Sequence, residues 1–151
     1  MNEQAFNTII GNSLDWKHKI SDGGRHGLLP FDGVAIFDGA PVYWEAKFLK
    51  KPQSFNFNRL EDHQIANLLE VQRLLPGSPS WFVIGVDFGR ADKRVFLFRD
   101  MEYIQERKKE KRNILKKEFE RRKNYVLIKK QLIDFKELLS QPREWEYAND
   151  L

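Results

Sequence analysis

The sequence predicts one α/β domain with the element order α-β-β-α-β-β-α. Three observations predict it. Residues 31–37 and 41–48 read as two strands joined by a tight turn at Asp38-Gly39. Residues 61–75 carry Gln64, Leu68, Val71 and Leu75 at helical spacing. Trp81–Val86 (WFVIGV) is a nearly continuous apolar run, the mark of a central strand covered on both faces.

Taken in order, Phe6, Ile9, Ile10 and Leu14 recur at helical spacing and predict an amphipathic helix over residues 3–17. Glu3 falls near its buried stripe. Ser21–Gly27 carries three glycines in seven residues and reads as a loop. On the first strand Asp32, Val34 and Ile36 share a face. On the second, Val42, Trp44, Ala46 and Phe48 point one way, toward a core, and Tyr43, Glu45 and Lys47 the other. A polar and aromatic loop over residues 49–60 leads into the 61–75 helix, which Pro76-Gly77-Ser78-Pro79 stops. In this phase Gln64 points inward. Val95–Phe98 is the next strand after Trp81–Val86. A basic helix or helix pair is expected over about 101–123, with a short strand at 125–128 and a short helix at 135–139. Residues 1–140 form the domain and 141–151 an acidic tail.

A chain of 151 residues with 41% apolar content can build a substantial core. The absence of cysteine removes disulfides, zinc–thiolate sites and thiol nucleophiles. No apolar run approaches the roughly 20 residues that span a bilayer, and MNEQAFNTII does not read as a signal peptide. A cytoplasmic protein without a membrane partner is expected. The charge is uneven: residues 99–130 hold 13 Lys/Arg against 6 Asp/Glu, whereas residues 1–98 balance at 11 each. A local cationic surface suits a polyanion, and a solvated helix face is the plain alternative.

The chemistry centres on Phe31–Gln64. Alternation puts Glu45 and Lys47 on one face of a strand, roughly 7 Å apart. Asp32 lies on the strand beside it. Two carboxylates suit Mg²⁺, a hard cation with oxygen ligands, and the Ala46 carbonyl faces the same region. Such an ion polarises a phosphoryl oxygen and acidifies a water. A nearby lysine orients that water or offsets developing charge. Asp32, Glu45 and Lys47 therefore suit phosphodiester hydrolysis. A solvent-facing Glu–Lys pair is the competing reading, and the large apolar neighbours on the strand speak against it. A polar Gln64 on an apolar stripe requires a partner, for which a lysine or a metal-bound water would serve.

Asp32, the Glu45-Ala46-Lys47 tripeptide, Ser54-Phe55 and Asp62-His63-Gln64-Ile65 together resemble the PD-(D/E)xK nuclease superfamily. Within it, the block resembles above all the RecU-type Holliday-junction resolvases. The likeness covers roughly residues 30–100 and, loosely, the basic helix. It implies a restriction-endonuclease-like mixed sheet flanked by helices. It also implies Mg²⁺ as cofactor, with Mn²⁺ substituting, and a homodimer acting on branched DNA in recombination or repair. Asp32 and Glu45 would be metal ligands, Lys47 the catalytic lysine, Gln64 the active-site helix glutamine and Glu3 an additional acid. The segment from Asn12 to Pro30 leaves no room for that family's full stalk. Leu28-Leu29-Pro30-Phe31 replaces its polar approach to the aspartate, and Phe48 follows the tripeptide in place of a polar residue.

Candidate DNA contacts are Lys50, Lys51 and Arg59 around the site, Arg25 in the glycine loop, and Lys108, Lys109, Lys111 and Arg112 in the basic segment. Ile104, Ile114, Leu115 and Phe119 form that segment's sparse apolar seam. His63 shares a different helix face with Asn67 and Glu70 and suits a structural or backbone-contact role. His18 and His26 have no partner histidine at zinc-ligand spacing. Phe55 and Phe57 fill the core under their loop or stack on unpaired bases. Trp16, Trp44 and Trp81 are expected in the core and Trp145 exposed. Two alternatives stay open beside the resolvase: a nuclease of this superfamily acting on ordinary duplex, and a non-cleaving DNA-binding protein of the same fold.

Overall fold

The sheet is laid out around one long strand, β3 (Ala40–Leu49). The computed structural model describes residues 1–17, 31–75, 77 and 80–143. His18, Arg25, His26, the glycine loop, Trp145 and most of the expected acidic tail lie outside the described residues.

Strand β2 (Gly33–Phe37) runs antiparallel to β3 across Asp38-Gly39. Both turn residues have positive φ, 51° and 77°. That matches the turn which suits the right-handed twist of a two-residue hairpin. On the other side of β3 lies β4 (Ser80–Asp87), parallel to it. A parallel neighbour requires a crossover, which contains helix α2 (Asp62–Leu74). Strand β5 (Lys93–Phe98) returns antiparallel to β4. Two-residue strands close the edges, β1 (Trp16–Lys17) beside β2 and β6 (Val126–Leu127) beside β5. The described sheet thus has six strands in chain order, with β3–β4 as its parallel pair.

Each face of the sheet carries its own core. On one, Phe6, Ile9 and Ile10 of α1 (Glu3–Asn12) meet Val42, Trp44, Ala46 and Phe48 of β3. Phe135 and Leu138 of α5 (Phe135–Ser140) complete that layer. On the other, Ile65, Leu68 and Leu69 of α2 join Phe55, Phe57, Phe82 and Ile84. Ile104 of α3 (Met101–Lys109) and Phe119 of α4 (Lys116–Arg121) pack there too. β4 is buried from Ser80 to Val86, as its unbroken apolar run predicts. Phe55 and Phe57 lie in the core under their loop.

Close packing locks β2 to β3. Gly33 pairs with Trp44, and a Cβ added at Gly33 would lie 1.9 Å from the indole. The Trp44 Nε1–H donates to Asn7 Oδ1 of α1 at 2.9 Å. This anchors α1 one turn beyond Glu3.

Five expectations are corrected. The first helix stops at Asn12, short of residue 17. Ser13 caps it, with its N–H on Ile9 and Ile10 carbonyls. The chain then turns to form β1, a strand the expected order lacks. Trp16, expected in the core, sits on this edge and is 56% exposed. On α2 the buried stripe is Ile65, Leu68 and Leu69, so Gln64 flanks it and Leu75 is exposed. The basic segment is a helix pair, and Leu115, assigned to its apolar seam, is exposed while Ile104, Ile114 and Phe119 are buried. Among the described residues no helix is long and apolar enough to cross a membrane.

Candidate active site

The centre of the site is a buried carboxyl on a central strand. Glu45 is 3% exposed. It projects from β3 on the same side as Tyr43 and Lys47, opposite Trp44 and Ala46. Asp32 lies just before β2, and its N–H donates to the Trp44 carbonyl of β3 at 3.0 Å. Its Oδ2 accepts the Ala46 N–H at 2.8 Å. Asp32 is therefore tied to the residues on both sides of Glu45. In an extended strand the N–H and C=O of one residue point to the same side. The Ala46 carbonyl is thus directed to the Asp32 side as well.

Burial pushes the Glu45 carboxyl up to about 9, helped by a hydrogen bond with Asp32 and by the Asp32 charge. Lys47 draws it back down, and Glu3 raises it further. Glu45 therefore favours its protonated form at neutral pH, chiefly because the site is dry and secondly because the Asp32 carboxylate adjoins it. Its Oε2 is buried without a hydrogen-bond partner. Buried polar atoms are rarely left so. An orphaned, buried carboxyl oxygen and a second carboxylate pinned beside it suit a divalent cation. A hard dication would take the place of the proton and satisfy the free oxygen. Among the described residues no group of three His, Cys, Asp or Glu is preassembled around a metal position. The side chains that could hold a cation here are a pair, Asp32 and Glu45, beside the Ala46 main-chain carbonyl.

Glu3 is brought to this neighbourhood by α1. It occupies the first turn, whose N-cap Asn2 accepts the Ala5 N–H at 2.8 Å. Its carboxylate pairs with Arg59 at 3.1 Å. Arg59 closes a 3-10 turn, Phe57–Arg59, in the loop after β3. Its Cζ lies 5.7 Å from the Phe55 ring centroid.

Gln64 has a different partner from the one its position suggests. At the third residue of α2, its Oε1 accepts the Glu61 N–H at 2.9 Å, half of a capping box. The helix terminus thus satisfies that oxygen, in place of a lysine or a metal-bound water. His63 Nδ1 pairs with Glu61 at 3.1 Å.

The basic segment is stapled to the site loop. Phe55 and Ile114 exchange main-chain hydrogen bonds of 2.8 and 3.1 Å. Ser54 Oγ accepts the Lys116 N–H at 3.0 Å, satisfying an amide of the first turn of α4. Underneath lies Arg107, which the sequence counted only as part of a cationic face. It is buried and its guanidinium donates to Glu118 at 2.8 Å and to the carbonyls of Arg112 and Asn113. The i, i+11 separation across two helices carries no local pattern, so nothing in the sequence marks this pair.

Of the candidate DNA contacts, Lys50, Lys51, Arg59, Lys109, Lys111 and Arg112 are exposed. Lys108 is committed: its ammonium bonds the Leu60 carbonyl and Asp62. Arg112 pairs with Glu110 at 2.5 Å. Asn58, Asp62, Lys108, Lys109 and Lys111 line a groove of about 690 Å³ between α2 and α3.

Compared with known proteins, the chain matches no family model and no curated protein.

Proposed function

We propose that this protein is a metal-dependent DNA endonuclease of the PD-(D/E)xK type. The observation that carries the reading is Glu45: a buried carboxyl with an orphaned oxygen, with Asp32 pinned to the next residue of a strand that also presents Lys47. A purely structural glutamate at such a position would be partnered or replaced by an apolar side chain. The mixed sheet, with a hairpin before the acidic strand and a crossover helix after it, fits a restriction-endonuclease-like fold.

Asp32 and Glu45 would hold Mg²⁺ or Mn²⁺, with the Ala46 carbonyl directed to the same edge. When bound, the ion supplies charge to the scissile phosphate and acidity to a water. Lys47 lies beside the pair, close enough for its charge to be felt at Glu45. Its ammonium stabilises the negative charge that develops on phosphoryl transfer and orients the attacking water. Asp32, pinned through Ala46, keeps the carboxylates at fixed separation. Gln64 holds the N-terminal turn of α2 in register with the site through its cap. Exposed Lys50, Lys51, Lys109 and Lys111 supply a sequence-independent grip on the phosphate backbone. Branched DNA, cut by a homodimer, is the substrate form the sequence resemblance favours.

One assay tests this. A four-way junction, a flap, a single strand and a linear duplex are each incubated with Mg²⁺, Mn²⁺ or EDTA. Junction cleavage with either metal and none with EDTA is expected. Equal cutting of junction and duplex would remove the junction preference and leave the nuclease. No cleavage of any substrate would remove the enzyme.

A further inference from the structure

The two ends of the sheet differ in charge. β3 and β4 run parallel, so both finish at the same end. β5 starts there, because the β4–β5 turn joins them. β6 finishes there too, since it runs antiparallel to β5 and the Ile128 N–H donates to the Lys93 carbonyl at 2.9 Å. Separate segments thus bring cations to one rim: Lys50 and Lys51 after β3, Arg90 in the turn, Lys93 opening β5, and Lys129 and Lys130 after β6. All but the half-buried Lys93 are exposed. None of them forms an ion pair with a described residue. The acids of the β4–β5 turn are already engaged: Asp92 pairs with Arg94 at 3.0 Å, and Asp87 accepts the Gly89 N–H at 2.7 Å. The opposite strand ends carry Asp15, Asp38 and Asp100 with Arg99. Only Lys50 and Lys51 are near the site in sequence; the register of the sheet adds the other cations.

Two turns on this rim are built at a conformational cost. Gly89, Arg90 and Ala91 have φ of 85°, 44° and 61°, and Lys130 and Gln131 have 52° and 61°. Lys130 and Gln131 form the tip of a turn closed by Lys129 and Leu132, which exchange main-chain hydrogen bonds of 3.0 Å. Glycine or asparagine suits such left-handed backbone better than a long side chain does. Arg90 and Lys130 occupy it nonetheless, and backbone strain of this kind gathers where a side chain is needed for contact.

From β3 to β6 the rim spans three strand spacings, about 15 Å. That is the rise of about four base pairs at roughly 3.4 Å each. Lys47 stands two residues, roughly 7 Å, before the end of β3. A duplex lying on the rim therefore continues toward the candidate site.

We propose that this rim is a second backbone-binding surface beside the α2–α3 groove, gripping the phosphates of a duplex DNA arm that leads to the candidate site. Its contacts are to phosphate and carry no sequence information. The choice of DNA over another polyanion rests on the nuclease reading, but the grip itself is measurable without cleavage.

The test is fluorescence anisotropy of the full chain with a labelled duplex of about two helical turns, in EDTA, at about 50 to 200 mM salt. Arg90→Asn is combined with Lys130→Asn. Asparagine accepts left-handed backbone, so the melting temperature should hold or rise. The slope of log affinity against log salt should fall by about two, one for each cation. The wild-type advantage at about 50 mM should then shrink roughly tenfold by about 200 mM. Lys50→Gln with Lys51→Gln, on ordinary backbone, should lower the slope by the same amount. Arg73→Gln removes an exposed cation of the last turn of α2, away from the rim, and should leave the slope unchanged. Wild-type slopes in both double variants overturn the proposal. It also falls if they lose binding to phosphatidylserine–phosphatidylcholine vesicles and keep that to DNA, since the rim then faces a membrane. Cleavage separates the two readings. A wild type that shows the expected slope changes yet cuts nothing with Mg²⁺ or Mn²⁺ removes the nuclease and leaves a DNA-binding rim. Cleavage abolished by Asp32→Asn, with slopes unchanged in both double variants, leaves the nuclease and removes the rim.

Discussion

The Asp32 carboxylate accepts the main-chain N–H of Ala46 at 2.8 Å. This one bond fixes where the second acid of the site stands, because Ala46 follows Glu45 on the strand. Asparagine offers the same acceptor without the charge. Asp32→Asn is therefore expected to fold with a stability change of about 1 kcal/mol or less. It should lose divalent-cation binding and cleavage together. Thermal melting alongside Mn²⁺ calorimetry checks both halves.

The metal-free protein should lose stability as pH rises. The Glu45 carboxyl is raised from 4.5 to about 9, so between those values the folded state holds a proton that the unfolded chain releases. More protons bound to the native state means stability falls with pH. The contribution is full below about 4.5 and is lost as pH passes through about 9. Asp32, Lys47 and Glu3 are the charged groups that act on Glu45. Glu45→Gln removes the titration, so its melting temperature in EDTA should vary less over this range. Melting curves at successive pH values decide the point, and an unchanged slope would exclude a raised Glu45.

Lys47→Ala should leave the fold intact and lower the cleavage rate by about a hundred- to a thousandfold, the usual cost of removing one preorganised charge donor. Single-turnover rates with metal in excess isolate that loss from cation binding. A rate within a few-fold of wild type would show that Lys47 has no part in the chemistry.

The lysines of the groove should divide by their partners. Lys109→Ala and Lys111→Ala are expected to lower the salt dependence of DNA binding by about one counterion each. Lys108→Ala should instead cost stability, since its ammonium is spent on Leu60 and Asp62. Binding isotherms at several salt concentrations, with melting curves of the same variants, separate the two classes.

Arg107 and Glu118 form a buried ion pair at 2.8 Å. Arg107→Ala leaves the Glu118 carboxylate buried beside a lost partner, and should cost about 3–5 kcal/mol. Replacing both residues with apolar ones of similar size should recover much of that loss. Urea unfolding of the single and double variants measures it.

Local pattern made much of this molecule legible. The alternation through Val42–Phe48 placed Glu45 and Lys47 on one face, and the unbroken WFVIGV run marked a buried strand. Both follow from the two-residue period of a strand, which any stretch of sequence displays by itself. Two misreadings were also local. Leu14 continued the helical phase of Phe6 and Ile10, but Asn12-Ser13 terminates the helix and frees the chain for β1. The Glu61-x-x-Gln64 spacing is that of a capping box and could have assigned Gln64 its partner.

The tertiary structure decided what period and spacing do not carry. Arg59 meets Glu3 across 56 positions, and Ser54 meets Lys116 across 62. Neither contact leaves a trace in its own neighbourhood of sequence. The perturbed state of Glu45 belongs to this class as well. A glutamate on a strand becomes a proton-holding group only when core closes over it and Asp32 arrives from just before the neighbouring strand. The sequence determined which side chains share a face; the sheet and its covering helices determined how dry that face is, and desolvation is what turns two ordinary acids into a site.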